Sequence, residues 1–321
     1  MRRRLLAGLV VIGALVLAAA SPADRTGKPA QTDQGGGFDF TGQAPGTPLE
    51  VYADNGLELS QDAKTVIARG NAKAIRGRVT VTGDVLTAHY RDRQPAPGQA
   101  AVNKDAKSPG DLGGNSEVWR VEADGHVTIA TPTQIAYGDH ADYNIDDAVV
   151  VLTGRNLRLV TPSDVVTAKD SLEYWERRDQ AVARGQAVAV RGEKRVQGDV
   201  LVADFAKNAQ GQMAIQRAHA YNHVILTTPR EIVTGDRADD NIETGIVTVT
   251  GSVKITREEN QLDGGYAVVN LNTGISRIFP APPGGGAEQR VKGLLVPQKK
   301  PTDAGPAAVP VDSGNASVKA R

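Results

Sequence analysis

The stretch from Gly125 to Ile145, GHVTIATPTQIAYGDHADYNI, contains the pattern that decides the fold of this 321-residue chain. It begins with Gly, alternates small or aliphatic residues with polar ones, and reaches Gly138-Asp139 after 13 residues. Val127 and Ile129 lie two positions apart, so an extended chain places both on one face. A period of two is typical of a strand with one buried face and is incompatible with an amphipathic helix. The stretch therefore predicts β structure.

Related stretches recur along the chain, which indicates a repeat architecture. Four further copies reach Gly-Asp or Gly-Gly 13 residues after their start, and they begin at Gly70, Gly185, Asn222 and Gly251. A looser copy begins at Gly154, and copies with no insertion between them are 29 to 31 residues apart. One unit cannot bury its apolar face alone, so consecutive units must stack and share an interior. We expect the Gly-Asp step to form a turn or bulge between two or three short strands, because Gly tolerates positive φ.

The composition narrows the possible functions. The chain has 37 Lys or Arg residues, 37 Asp or Glu residues and no Cys, so its formal net charge is zero. Thiol catalysis and Cys-based metal sites are therefore excluded. No block of basic residues interleaved with aromatics is present, so we predict no nucleic-acid partner. Aromatic residues make up only 4% of the chain, which leaves few large side chains to fill an interior.

Residues 1–20 have the features of a cleavable signal peptide. Three arginines precede the 13-residue apolar stretch Leu5 to Leu17, and the small residues Ala18 to Ala20 follow it. We expect cleavage after Ala20 and export of the mature protein. An uncleaved membrane anchor is the alternative, although a spanning helix needs roughly 20 apolar residues.

Three segments rich in Gly, Pro and polar residues are predicted to lack regular structure. They are a flexible leader at 21–48, an inserted loop at 93–116 and a disordered, mildly basic tail at 281–321. We interpret the tail as a solvated linker, and a membrane-surface contact is the alternative. The repeat region at 49–280 is then the ordered part of the chain.

Four motifs in the repeat region carry a family resemblance. They are Pro48 to Asp54 (PLEVYAD), Ala63 to Ala72 (AKTVIARGNA), Val79 to Asp84 (VTVTGD) and Ala148 to Gly154 (AVVVLTG). Each motif is weak alone, but their combination resembles the LptA/OstA-like proteins of Gram-negative lipopolysaccharide transport. The resemblance covers most of 48–279. It implies an all-β fold, an elongated open β-jellyroll or β-taco built from stacked repeat units, whose two sheets part to form an apolar groove.

The resemblance also implies a function. Members of this family are periplasmic bridge proteins, not enzymes, that carry lipopolysaccharide from the inner to the outer membrane, and no cofactor is implied. The implied partners are the lipid A acyl chains of lipopolysaccharide and the OstA-type domains of LptC-like inner-membrane and LptD-like outer-membrane proteins. Head-to-tail self-association is implied as well.

Apolar residues at inward positions of the alternating strands are the candidates for the lipid groove, because small and medium side chains leave room for acyl chains. Ordinary core packing is the simpler explanation for any single residue, and only the collective pattern favours a groove. The groove candidates are Val79, Val81, Val127, Ile129, Leu159, Val224, Leu226, Val253 and Ile255. The candidates for partner contact, on the first and last strands, are Leu49, Val51, Ala53, Ile275 and Ile278.

No catalytic or metal site is predicted. His219 and His223 are the only close histidine pair, and on a strand they would stand roughly 13 Å apart, too far for one metal ion. We expect both at the solvated surface. Acidic groups such as Asp236, Asp239 and Asp240 recur at the repeat turns, which indicates a structural role and not the carboxylate pair of a glycosidase.

Two other functions stay open. A right-handed β-helix that binds or acts on polysaccharide would show shorter rungs, stacked Asn ladders and a surface carboxylate cluster. A structural β-solenoid of the periplasm or cell surface would have a filled interior and bind no lipid. Co-purification of lipid distinguishes the transport function from both.

Overall fold

The computed structural model describes residues 49–92, 116–209, 211–286 and 290–296. The signal peptide, the leader and nearly all of the inserted loop lie outside the described residues. Antiparallel strands and one 3-10 turn make up the regular structure of the described part. In chain order these elements are β1 (Leu49–Tyr52), β2 (Leu57–Ser60), β3 (Thr65–Arg76), β4 (Val79–Asp92), β5 (Ser116–Ala130), β6 (Ile135–Asn144), β7 (Val149–Thr153), β8 (Leu157–Val160), β9 (Val165–Ala168), β10 (Ser171–Trp175), the 3-10 turn Glu176–Arg178, β11 (Gln180–Arg191), β12 (Lys194–Lys207), β13 (Met213–Thr227), β14 (Ile232–Asn241), β15 (Ile246–Arg257), β16 (Asn260–Asn270), β17 (Ile275–Phe279) and β18 (Lys292–Leu294).

The strands form one sheet in which the chain runs back and forth. The long strands β3 to β6 pair in order, and so do β11 to β16. At four positions in the sheet, two short strands together occupy the place of one long strand. β1 and β2 both pair with β3, and β7 and β8 both pair with β6. β9 and β10 both pair with β11, and β17 and β18 both pair with β16. Within the described residues, these first and last strand positions have a neighbour on one side only.

A bulge interrupts the register near the middle of the long strands. On β3, Arg69 is opposite Val85 but Ala72 is opposite Gly83, so two residues of β3 face one residue of β4. These two residues, Gly70-Asn71, have φ of 78° and 43°. Equivalent shifts with positive φ occur at Gly125-His126, Gly185-Gln186 and Asn222-His223. The bulges align from strand to strand, and we call this line the corner.

The sheet folds at the corner into two half-sheets that face each other across a shared interior. Core contacts show this directly, because Leu201 and Ala220 on one side of the corner pack in one cluster with Val224 and Leu226 on the other. The first half-sheet contains Leu201 and the second contains Leu226. All-β structure with a folded sheet confirms the predicted fold class.

The expectation of short strands separated at the Gly-Asp steps was wrong. Strands such as β4 run through the step at Gly83-Asp84, and positive φ occurs instead at the residue that begins each unit, which is glycine or, at 222, asparagine. The aspartate has a different role, because its side chain packs against the bulge of the next strand. Gly125 has φ of 72°, and a Cβ there would lie 2.9 Å from Cβ of Asp84, so both backbone conformation and packing favour glycine at that position.

Part of the predicted tail belongs to the sheet. β18 pairs with β16, with Gly293 opposite Leu262, and the Val296 N–H donates to Oδ1 of Asn260 at 3.0 Å. The pairing therefore extends past the boundary at 280 that the sequence indicated. A three-residue strand carries no detectable period, which is why the composition of the tail concealed it.

Candidate functional site

The predicted groove residues all lie on the second half-sheet, facing the interior. Val81 and Leu159 are half-buried and pack against the core. The buried members are Val79, Val127, Ile129, Val224, Leu226, Val253 and Ile255. Twelve strands (β3–β6, β8, β9 and β11–β16) each contribute one member of a continuous inner row, in which every residue is in register with the next. We call it the second row, after the half-sheet on which it lies. Its members are Ala74, Val81, Ile129, Ala136, Leu159, Val166, Ala189, Val196, Leu226, Val233, Ile255 and Leu262.

Sequence reasoning missed the opposite wall of the interior, which the first half-sheet supplies. Its inner row is Ala68, Leu86, Ala123, Ala141, Leu152, Leu172, Ala183, Leu201, Ala220, Ala238, Val249 and Ala267. A signal for this row was present, because an inward residue follows the Gly-Asp step three positions after its glycine, as Leu86 follows Gly83 and Leu201 follows Gly198. Seven of the twelve residues in this row are alanine, so the wall has little bulk.

The interior is continuous along the described chain. Two core clusters fill it, one formed by the N-terminal strands and one by the C-terminal strands. Leu172 packs against both clusters. Both inner rows also run without interruption past β7 to β10, where the short strands replace long ones.

The five predicted edge residues differ in their exposure to solvent. Leu49 and Ile275 are 46% and 55% exposed, whereas Val51, Ala53 and Ile278 are half-buried and pack against the core. The terminal strands also expose apolar side chains that sequence reasoning did not select. These are Leu57, Leu59, Phe279 and Leu294. Within the part of the chain that the structure describes, each end of the sheet therefore combines unpaired backbone groups with apolar surface.

Opposite the corner, hairpin turns of the two half-sheets form a rim that we call the mouth. Three turns of the second half-sheet share a Thr-Pro sequence: Thr131 to Gln134, Thr161 to Asp164 and Thr228 to Glu231. In each, the Thr N–H donates to the carbonyl of the fourth residue at 2.8 to 2.9 Å. The N–H of that fourth residue donates in return to the Thr hydroxyl. The motif thus positions the polar side chains Gln134, Asp164 and Glu231 at the mouth.

A buried carboxylate joins the two half-sheets at the C-terminal end of the mouth. Glu231 is 5% exposed, and Nη2 of Arg257 lies 2.8 Å from its Oε2. From the first half-sheet, the hydroxyl of Ser276 donates to Oε1 of the same carboxylate. We call Glu231, Arg257 and Ser276 the clasp. The clasp links the two half-sheets through side-chain contacts at the mouth. At the corner, by contrast, the half-sheets are joined by the backbone of the long strands.

The aspartates predicted to share one turn occupy three environments. Asp236 lies at the corner against Gly251, and Asp239 faces outward. Burial acts to raise the pKa of Asp239, but hydrogen bonds from Arg237 and His219 outweigh it and lower the pKa. Asp240 faces the interior, and burial raises its pKa. The common turn role was therefore wrong, because alternation along β14 separates neighbouring side chains.

The surface prediction for the histidines holds for only one of them. The side chain of His223 is 85% exposed and pairs with Asp199 at 2.9 Å. His219 is only 17% exposed and bridges two strands, with Nε2 3.0 Å from Asp204 and Nδ1 2.5 Å from Asp239. These pairs explain both histidines as structural. No group of three or more His, Cys, Asp or Glu in the described part of the chain is arranged to hold a metal ion.

A second concave feature lies on the outer face of the first half-sheet. It has a volume of about 420 Å³ and is lined by Trp175, Val149, Asn144 and Arg178, among others. The guanidinium of Arg178 stacks over Trp175, 4.7 Å from the ring centroid. This outer pocket is separate from the interior, because Val149 and Trp175 alternate with the inward-facing Val150 and Tyr174.

Three comparisons bear on identity. The curated relative found is an uncharacterized protein of Rhizobium meliloti, 25% identical over 112 residues. The aligned part is 35% of this chain and 52% of that protein, so the chain spans about half the length of the curated relative it matches. Among solved structures, a match is LptH of Pseudomonas aeruginosa, described as the LptA-homologous periplasmic component of a lipopolysaccharide transport device. It is 17% identical with a TM-score of 0.37, over 42% of this chain and 95% of LptH.

The family comparison covers more of the chain. The sequence matches the family described as LptA/(LptD N-terminal domain) LPS transport protein twice in succession, at residues 50–170 and 168–275. This family consists of transport proteins of the bacterial envelope and not of enzymes. In the described residues no helix is long and apolar enough to cross a membrane. Because the two matches together cover most of the chain, this protein belongs to the LptA/LptD N-terminal domain family of lipopolysaccharide transport proteins.

Proposed function

We propose that this protein binds lipopolysaccharide in the periplasm and carries it from the inner to the outer membrane, with the acyl chains held between the two half-sheets. The observation that carries the proposal is the continuous pair of inner rows. These rows pass through the join of the two family matches near residue 168, where Leu172 contacts the core on both sides. A lipid path longer than one family unit requires that continuity.

Lipid entry requires the half-sheets to part, since the groove candidates are buried against the opposite wall. The alanine-rich first row leaves little bulk against the aliphatic second row, and each acyl CH₂ buried between them contributes about 0.8 kcal/mol. Parting is easiest at the mouth, because the corner is covalently continuous in each long strand. The nine groove candidates would then line one side of the bound acyl chains.

The two ends of the sheet are the proposed partner surfaces. Unpaired strand edges favour addition of a strand from another chain, and exposed apolar side chains such as Leu49 and Ile275 strengthen such contacts. The proposed partners are LptC-like and LptD-like domains and further copies of this chain, joined head to tail. The signal peptide at 1–20 would deliver the protein to the periplasm.

A pair of substitutions on opposite faces of β13 tests the lipid path. Leu226 faces the interior and is buried, whereas its neighbour Ile225 faces outward. Leu226→Asp should abolish lipid A uptake by purified protein, because an isolated carboxylate in an apolar interior costs several kcal/mol. Ile225→Asp should bind normally. Circular dichroism checks that both variants keep β structure, and unchanged uptake by folded Leu226→Asp would refute the path.

The alternative is a structural or polysaccharide-binding protein, and the outer pocket with Trp175 favours it. In that case both β13 variants would bind the same small amount of lipid as the natural protein. Trp175→Ala would then reduce binding to polysaccharide. The transport proposal expects no effect of Trp175→Ala on lipid A uptake.

A further inference from the structure

Asp240 is an inward-facing carboxylate that the fold does not explain. On the inner face of the first half-sheet it is in register with Ala218 and Val247, and Ala238 precedes it on the same face. Its Oδ1 is buried and accepts no hydrogen bond from any described residue. Asp240 as a whole is half-buried, but buried carboxylate oxygens are normally paired, because an unpaired one has lost its hydration without a compensating hydrogen bond. A group retained at that cost points to a ligand.

Two cations of the second half-sheet act on this carboxylate from the mouth. Arg191 and Lys194 are register partners that flank the turn between β11 and β12. The positive charges of both act to lower the pKa of Asp240, against the dominant effect of burial. All three side chains are on inward faces, since Arg191 and Lys194 follow the alternation of Ala189 and Val196, and Asp240 follows that of Ala238.

The two cations are held differently. Asp164 fixes Arg191 through two hydrogen bonds, from Nε at 2.6 Å and from Nη2 at 2.9 Å. The Arg191 side chain is still 49% exposed, so a second anion can approach it. Lys194 is exposed and has no hydrogen bond or close ion pair with any described residue. The second half-sheet therefore presents one oriented and one adaptable cation at the rim, and the first half-sheet presents an inward acceptor whose Oδ1 is buried.

We propose that Arg191, Lys194 and Asp240 form a head-group subsite for a phosphorylated amphiphile. The cations bind the phosphate at the rim, where Arg supplies planar donors and Lys a point charge. Asp240 accepts a hydrogen bond from an amide N–H or a hydroxyl that lies between the phosphate and the acyl chains. This order follows from burial, because both cations are exposed whereas Asp240 is half-buried and its Oδ1 is shielded from solvent. The inference rests on the proposed function, since the acyl chains must enter the interior beside it.

The test compares phosphorylated lipid A, dephosphorylated lipid A and inorganic phosphate as probes of the full mature chain. Lys194→Gln should weaken binding of phosphorylated lipid A about tenfold at low salt, and leave dephosphorylated lipid A unchanged. Lys254→Gln is the matched control, because Lys254 is exposed on the outer face of β15. Equal effects of the two lysine substitutions would overturn the subsite.

A second variant keeps the inference testable if lysine effects are small. Asp240→Val should weaken binding of both lipids about tenfold, because the lost acceptor serves a group that both contain. The same variant should unfold at a higher temperature, which a residue needed for packing would not do. A lower unfolding temperature with unchanged binding would show that Asp240 is structural and would refute its role.

Other outcomes distinguish a failure of the phosphate subsite from a failure of the proposed function. If the natural protein takes up neither lipid, the proposed function itself fails. If it takes up both lipids with equal affinity, the acyl path stands and the phosphate subsite is wrong. Inorganic phosphate should not bind measurably at millimolar concentration, and tight phosphate binding would reassign the cations to a free-anion site.

Discussion

The corner and the mouth hold the same two half-sheets together by different means. At the corner, the backbone of each long strand is continuous. Aspartates such as Asp84 and Asp236 pack against glycines of the next strand so closely that a Cβ added to the glycine would overlap the aspartate side chain. At the mouth, the two half-sheets meet through side chains, as in the clasp of Glu231 with Arg257 and Ser276. Because the corner is tightly packed and the mouth is closed only by polar side chains, the folded sheet can open at the mouth but not at the corner.

Disruption of the corner should have the largest effect on stability. Gly251 has φ of 89°, and a Cβ there would lie 2.6 Å from Cβ of Asp236. Gly251→Ala adds this overlap to left-handed backbone strain, and should lower the free energy of unfolding by about 3 kcal/mol. Gly192 has φ of 56° with nothing within 4 Å of the added Cβ, so Gly192→Ala isolates the strain at about 1 kcal/mol. Urea unfolding measures both, and equal losses would contradict the packing role of the corner.

Removal of the clasp should have a smaller effect that is localised to the mouth. Glu231→Ala removes a buried carboxylate but leaves Arg257, which is half exposed and can be solvated. We therefore expect a loss of about 2 kcal/mol, below the usual range for a broken buried pair. Hydrogen exchange should accelerate in β17 and not at the corner. Glu259→Ala, at an exposed residue near the same rim, should change neither quantity.

Substitutions of the adjacent residues Asp239 and Asp240 should change the stability of the protein in opposite directions. Asp239→Asn should destabilise the protein by about 1 kcal/mol, because hydrogen bonds favour the charged form of this half-buried side chain. Asp240→Val should stabilise it by a similar amount, because an unsatisfied buried oxygen is removed. Thermal and urea unfolding at neutral pH give both values. A loss of stability in Asp240→Val would contradict the assignment of this carboxylate to a ligand.

The pH dependence of the same pair follows from their pKa directions. The lowered pKa of Asp239 gives stability that is present above the unfolded pKa and lost as pH falls through the folded pKa. The raised pKa of Asp240 costs stability as pH rises from the unfolded pKa to the folded pKa. The advantage of Asp240→Val should therefore grow with pH over that interval, and the deficit of Asp239→Asn should shrink in acid. Unfolding curves between pH 3 and pH 7 test both slopes.

Truncation of the tail should have the smallest effect. Removal of residues after Pro280 takes away β18, whose three residues are exposed and pair with only three residues of β16. We expect a change below about 1 kcal/mol in unfolding, and full complementation of a deletion strain. Loss of viability with an intact fold would show that the tail binds a partner.

Alternation and repeated glycines predict the all-β fold and the inward face of the second half-sheet, because period two and burial are local properties of a strand. The first wall was missed because the alternation changes phase at the Gly-Asp step of strands such as β4 and β12. Leu86 and Leu201 lie five residues after Val81 and Val196 and therefore do not continue their pattern. The sequence also grouped Asp240 with its neighbours, and only register across β13 to β15 shows that it faces inward. The clasp joins residues 45 apart in the chain, which no local pattern encodes.

The central claim is that the interior between the half-sheets carries lipid. The most direct test is native mass spectrometry of residues 21–321 after incubation with lipopolysaccharide that carries a photo-crosslinker in its acyl region. If the interior holds the acyl chains, a discrete adduct should form whose crosslinked peptides map to Val224, Leu226, Val253 and Ile255, with the alternating outward residues Ile225 and Lys254 unlabelled. An adduct on the outward residues, or no adduct on a folded protein, would contradict the claim.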